Sequence, residues 1–165
     1  MKHARIAVLF GISVGFAAAL APVSARADDV VRWKTVIGII QAGNLVGNIG
    51  GGGQPWSTTG GEAKVNLRDG HLEFNVRGLV LAGGNTIGTP GAINQVKGTL
   101  VCNPGPAQAV VDGAPVALSP TGDAQFSGDL GTLPADCAGG NVAFLVRIVP
   151  ADRWIANGAV RQGND

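Results

Sequence analysis

Residues 61–79, GEAKVNLRDGHLEFNVRGL, constrain the chain more than any other stretch, because they alternate with period two on both sides of Asp69-Gly70. Before the pair, Glu62, Lys64, Asn66 and Arg68 point one way while Ala63, Val65 and Leu67 point the other. After it, Leu72, Phe74 and Val76 oppose His71, Glu73, Asn75 and Arg77. Such alternation describes strands that bury one face and wet the other, and Asp-Gly is strong hairpin chemistry because both residues tolerate positive φ. The pattern predicts strands over 62–68 and 71–77 joined by a two-residue turn. It also requires the rest of the chain to supply a core for the apolar face.

The remaining sequence meets that requirement with strands alone. Val30 to Gln41 is rich in β-branched residues, with Val31, Trp33, Thr35, Ile37 and Ile39 predicted on one face. Further strands are predicted over 95–102, 109–112, 116–119, 123–130, 141–149 and 154–161, separated by Gly, Pro and Asp turn residues. No window joins a 3.6-residue period to good helix formers. The expectation is an all-β fold: an antiparallel β-sandwich or flattened Greek-key barrel of about eight or nine strands with one disulfide.

Lys2, His3 and Arg5, the apolar run Ile6 to Ala21 and the Ala25-Arg26-Ala27 site make residues 1–27 a cleavable signal peptide. The run is shorter than a spanning helix needs. The expected organisation is therefore 1–27 signal, 28–165 single β-sandwich domain, exported by a bacterium to the periplasm or beyond, with no membrane span after cleavage. The mature part holds nine basic and eleven acidic residues, a net charge of −2, which excludes nucleic-acid binding by bulk positive charge. It keeps 25 of the 27 glycines. Cys102 and Cys137, the only cysteines, are predicted to form a structural disulfide, since neither belongs to a C-x-x-C motif or lies beside a histidine.

Several features invite functional readings. Gly50 to Gly53 lacks the following helix and nearby lysine of a phosphate cradle, and reads as a mobile crossing pinned by Trp56. Trp33 and Trp154 fall in apolar strand patterns, whereas Trp56, with Gln54 beside it, is the tryptophan to test as an exposed ligand contact. His71 completes the speculative ligand set; as the only histidine after residue 27, it makes no His-rich metal site. Ser57, Ser119 and Ser127 are the nucleophiles a triad with His71 would draw on, but none lies in a G-x-S-x-G motif. Asp112, Asp123, Asp129, Asp136 and Asp152 would supply paired carboxylates, without a D-x-D-x-D calcium loop. No catalytic residue, metal or cofactor is assigned. Arg32, Lys34, Lys64, Arg68, Arg77 and Lys97 gather toward one part of the chain, where mixed signs suggest a solvated face.

Residues 61–79 also resemble the opening of chordin-type domains, in which an alternating strand, a turn and a second strand ending in Gly-Leu recur. The final stretch Ile155 to Arg161 stands where that family closes its sandwich. The resemblance implies an exported Greek-key β-domain. After Leu79 the chain reads Val80-Leu81-Ala82-Gly83-Gly84, so the family's histidine-containing segments have no counterpart and no metal chemistry is implied.

The expected function is an exported, non-enzymatic structural or partner-binding domain, its partner a protein or a glycan. The alternatives are a carbohydrate- or small-ligand-binding module, which needs Trp56 or another aromatic accessible beside polar groups, and a hydrolase. A hydrolase would bring His71 or two Asp side chains into one concave pocket.

Overall fold

The computed structural model describes residues 29–162; the signal reading of 1–27 lies outside them. Thirteen strands follow in chain order. They are β1 (Val30–Gly38), β2 (Leu45–Val46), β3 (Ile49–Gly50), β4 (Trp56–Ser57), β5 (Gly60–Asn66), β6 (His71–Arg77) and β7 (Val80–Leu81), then β8 (Gln95–Cys102), β9 (Ala109–Asp112), β10 (Val116–Ala117), β11 (Ala124–Asp129), β12 (Val142–Ile148) and β13 (Trp154–Gln162). Nine of them form one antiparallel sheet in the order β10-β8-β12-β13-β1-β5-β6-β11, with β9 also paired to β8. The sheet curls into a half-barrel. Its two end strands, β10 and β11, approach each other without joining the ladder. The only helical element among the described residues is a single 3-10 turn, Ala135–Cys137.

The expected alternation holds through the hairpin: Ala63, Val65, Leu72, Phe74 and Val76 are buried while their neighbours are exposed or half-buried. The turn is longer than Asp-Gly alone. Asn66 is the last residue of β5, Gly70 N–H bonds to its carbonyl (2.9 Å), and only Gly70 takes positive φ (78°). Asp69 works through its side chain instead, accepting from the Asn66 amide (2.7 Å) and the His71 N–H (2.9 Å). Arg68 is therefore a loop residue rather than a strand residue.

A second departure lies in β1. Val31 and Trp33 face the core as expected, but register shifts on either side of Thr35 turn the strand over. Val36 is buried beyond the bulge and Ile37 is 38% exposed. The inserted residue exchanges the faces of Val36 and Ile37, while Ile39, beyond the end of β1, is buried as expected.

Inside the curl, Phe144 packs between Trp33 (centroids 5.6 Å) and Phe74 (5.5 Å), and Phe126 stacks on Phe74 (6.0 Å). Cys102 and Cys137 are joined, tying the end of β8 to the 3-10 turn across 35 residues. Gly51 and Gly52 are buried rather than mobile. Gly51 N–H bonds to Asn44 O (2.7 Å), Gly52 N–H to Trp154 O (2.8 Å), and Gly52 O accepts from Gly43 (2.9 Å). No helix among the described residues is long and apolar enough to cross a membrane.

Candidate functional site

The half of the sheet formed by β1, β5, β6 and β11 presents its polar alternation on one surface. Register places Arg32 opposite Lys64, Lys64 opposite Glu73, and Glu73 opposite Ser127; the next row pairs Glu62 with Asn75 and Asn75 with Gln125. These side chains border an open trough of about 740 Å³. Lys64 Nζ is 3.0 Å from Glu73 Oε2. Among the described residues, Arg32, Lys34 and Glu62 make no ion pair.

His71 lies on the same face, one row beyond Glu73, and has more company than a solitary solvated imidazole. Asp129 stands directly across from it on β11, with Nδ1 to Oδ1 at 2.7 Å. On the other side of the ring, Nε2 is 3.4 Å from both Ser127 Oγ and Glu73 Oε1. The hydrogen bond to Asp129 raises the His71 pKa above 6.5, against slight desolvation and aided by the charges of Asp129, Glu73 and Asp69. Lys64 holds Glu73 below its ordinary value through its own hydrogen bond. The result is an exposed chain of alternating charge, Lys64–Glu73–His71–Asp129, with the Ser127 hydroxyl beside the imidazole in its middle.

Trp56 is not an exposed aromatic contact: it is 4% exposed, as are Trp154 (4%) and Trp33 (2%). Its backbone is held on two sides, by Ile39 O (2.8 Å) and by pairing with Leu81, and Gly38 lies against its carbonyl. No tryptophan therefore offers an open ring face for a sugar. Gln54 is exposed and shares with Trp56 a mostly apolar hollow of about 420 Å³ that His71 does not line. The expected ligand set thus divides, with Gln54 and Trp56 in one place and His71 in another.

The acidic residues also separate. Asp123 accepts from Gly78 N–H (3.0 Å) and Thr121 (2.8 Å), which holds its carboxyl below the usual range. Asp112 and Asp152 are brought together by cations, and this cluster escaped the sequence reading. Lys97 Nζ bridges the two at 2.7 and 2.6 Å, Arg147 reaches Asp112 at 2.9 Å and the Asp152 carbonyl at 3.0 Å, and buried Thr99 donates to Asp112 at 2.6 Å. Burial pushes the Asp112 pKa up, but the hydrogen bonds from Lys97 and Thr99 and the charges of Arg147 and Lys97 outweigh it and leave the group lowered. Held this way by Lys97 and Arg147, the pair braces β8, β9 and β12. The register of β8 with β9 and β12 juxtaposes Lys97, Thr99, Asp112 and Arg147, and the turn after β12 adds Asp152, so no single segment announces the cluster. Among the described residues no three His, Cys, Asp or Glu side chains are placed to hold a metal ion.

Comparison with known proteins adds no identity: no family model, curated protein or solved structure matches the chain.

Proposed function

We propose that the chain is an exported, non-enzymatic β-domain whose polar face over β1, β5, β6 and β11 holds a partner that carries negative charge. The observation that carries this reading is the cross-strand placement of Arg32 against Lys64, with Lys34 two residues along. Like charges directly opposite disfavour the sheet, and the available carboxylate on that row, Glu73, is already shared by Lys64 and His71. An anion seated beside Arg32, between Lys34 and Lys64, offsets that repulsion, with the Glu62 carboxylate at the edge of the same trough limiting how much negative charge it can carry. The Cys102–Cys137 bond supports an oxidising compartment, and the chordin-type resemblance of 61–79 fits an exported domain. Native mass spectrometry of protein recovered from periplasm and medium tests the reading. Cleavage after Ala27 and a co-recovered partner that is lost in the double variant Arg32→Glu/Lys34→Glu are expected. An uncleaved membrane-bound species, or a partner indifferent to the charge reversal, overturns it.

A hydrolase is the second reading, favoured by the order Ser127–His71–Asp129, which matches that of a nucleophile, base and orienting acid. Against it, His71 is biased toward its protonated form, Glu73 competes with Ser127 for Nε2, and the site lies open to water. The non-enzymatic reading expects no labelling of Ser127 by a fluorophosphonate and an ester hydrolysis rate unchanged in Ser127→Ala. Labelling that Ser127→Ala abolishes would establish the hydrolase instead.

A further inference from the structure

The hollow beside the glycine crossing carries a second, separate site. Its walls include Leu81, Pro90, Ile93 and Ile148, its mouth carries Gln54, and no charged side chain lines it. The Trp56 indole closes one side while being nine-tenths buried. A buried indole N–H ordinarily finds an acceptor, as Trp154 does with Asn44 O at 3.0 Å. Among the described residues Trp56 Nε1 donates no hydrogen bond. That N–H is not sealed in the protein either, because no fully buried side-chain nitrogen or oxygen lacks a partner. It opens beside Gly52, which lines the same hollow: a Cβ at position 52 would stand 3.6 Å from Nε1.

We infer that this hollow binds a small, neutral, largely apolar molecule with one carbonyl oxygen, which accepts the Trp56 indole hydrogen bond. An indole only donates, so the ligand must supply an acceptor. The apolar walls reward a hydrocarbon body, and the absence of a charged wall leaves an ionised ligand without compensation for its lost water. The Gln54 amide at the mouth adds a donor and an acceptor for a second polar group. The site shares no lining residue with the polar face, so the fate of either reading leaves the other standing.

Titration of the 15N-labelled protein with acetophenone and with ethylbenzene, which keeps the same carbon skeleton but lacks the carbonyl oxygen, tests the inference. The two-dimensional proton–nitrogen spectrum resolves the tryptophan indole N–H signals, and Trp56→Phe assigns one of them. A saturable downfield shift of the Trp56 signal is expected, with a Kd of about 1 mM for acetophenone and roughly tenfold weaker binding of ethylbenzene. Ala92→Phe, at an exposed residue of the hollow's rim, blocks the mouth without touching the core and is expected to abolish the shift even if Trp56→Phe fails to fold. An absent or non-saturating shift, equal affinity for the two compounds, or an Ala92→Phe protein that still binds overturns the inference.

Discussion

Gly98 and Gly158 stand in the middle of strands, where glycine is ordinarily unfavourable. Both are explained by rings laid on the backbone. A Cβ at position 98 would approach the Phe74 ring to 2.7 Å, and one at position 158 would overlap Trp33. Gly158→Ala is therefore expected to destabilise the protein by about 1–3 kcal/mol in a urea melt, because Trp33 must leave its place against Phe144. A glycine-rich composition suggested turns, and Gly70 is one; what composition does not disclose is which glycines lie beneath aromatic rings. His71 makes the same point for charge. It was legible as an exposed residue beside Glu73, but its closest partner, Asp129, is 58 residues away. The pairing sets a sign. Raised above 6.5 in the fold, His71 contributes stability that is fully present below pH 6.5 and is lost as pH rises through its folded value. An NMR titration is expected to place its midpoint above 6.5 and to return it toward 6.5 in Asp129→Asn.

At the scale of elements, two of the longer strands were legible because alternation and turn residues bound them: β6 and β8 span the residues the pattern picks out, 71–77 and 95–102. The short ribbons β2–β3 and β4–β7 were not, since two residues carry no period. The bulge in β1 was hidden for another reason. It is a property of the pairing with β13, and a single strand read by itself predicts unbroken alternation through Ile37 and Ile39. Pairing also creates the brace across β8, β9 and β12, where Arg147 is 8% exposed. Removing one member of a mostly buried ion network leaves opposite charges unmatched. Arg147→Ala is expected to lower stability by about 2 kcal/mol, less than for a fully enclosed pair because Asp112 retains contact with water. Lys64→Ala, which breaks an exposed pair on the polar face, is expected to leave the denaturation midpoint unchanged within error. The brace also has a pH range. Asp112, lowered from 3.8, supports the fold above that pH and loses its contribution as pH falls through its folded value. Lys97 is pushed down by burial but raised overall above 10.5 by Asp112 and Asp152, so its contribution is lost only as pH rises through its still higher folded value.

For the whole molecule, the sheet's course could not be read from any one segment. Sequence neighbours β5 and β6 form a hairpin, yet β11 adds to β6 through pairs 48 to 58 residues apart and β1 sits between β13 and β5. Because β10 and β11 draw near without forming a ladder, side chains that reach across hold that side of the curl, Phe74 lying against Gly98 of β8 and Phe126 against Gly113. The covalent tie is elsewhere, at the end of β8. Closing 35 residues with the Cys102–Cys137 bond is worth about 4 kcal/mol in the chain-entropy view. The double variant Cys102→Ser/Cys137→Ser is expected to lose stability of that order in a urea melt, since both positions are buried. The order of strands has one more consequence. Arg32 lies opposite Gln162, so the described chain enters and leaves the sheet side by side, on antiparallel neighbours whose hydrogen bonds run across the strands. Tension applied between the two ends would open that ladder rung by rung instead of shearing it all at once. As a link in a line under load, the domain would yield early; anchored by one end alone, it would hang free with its sheet unloaded.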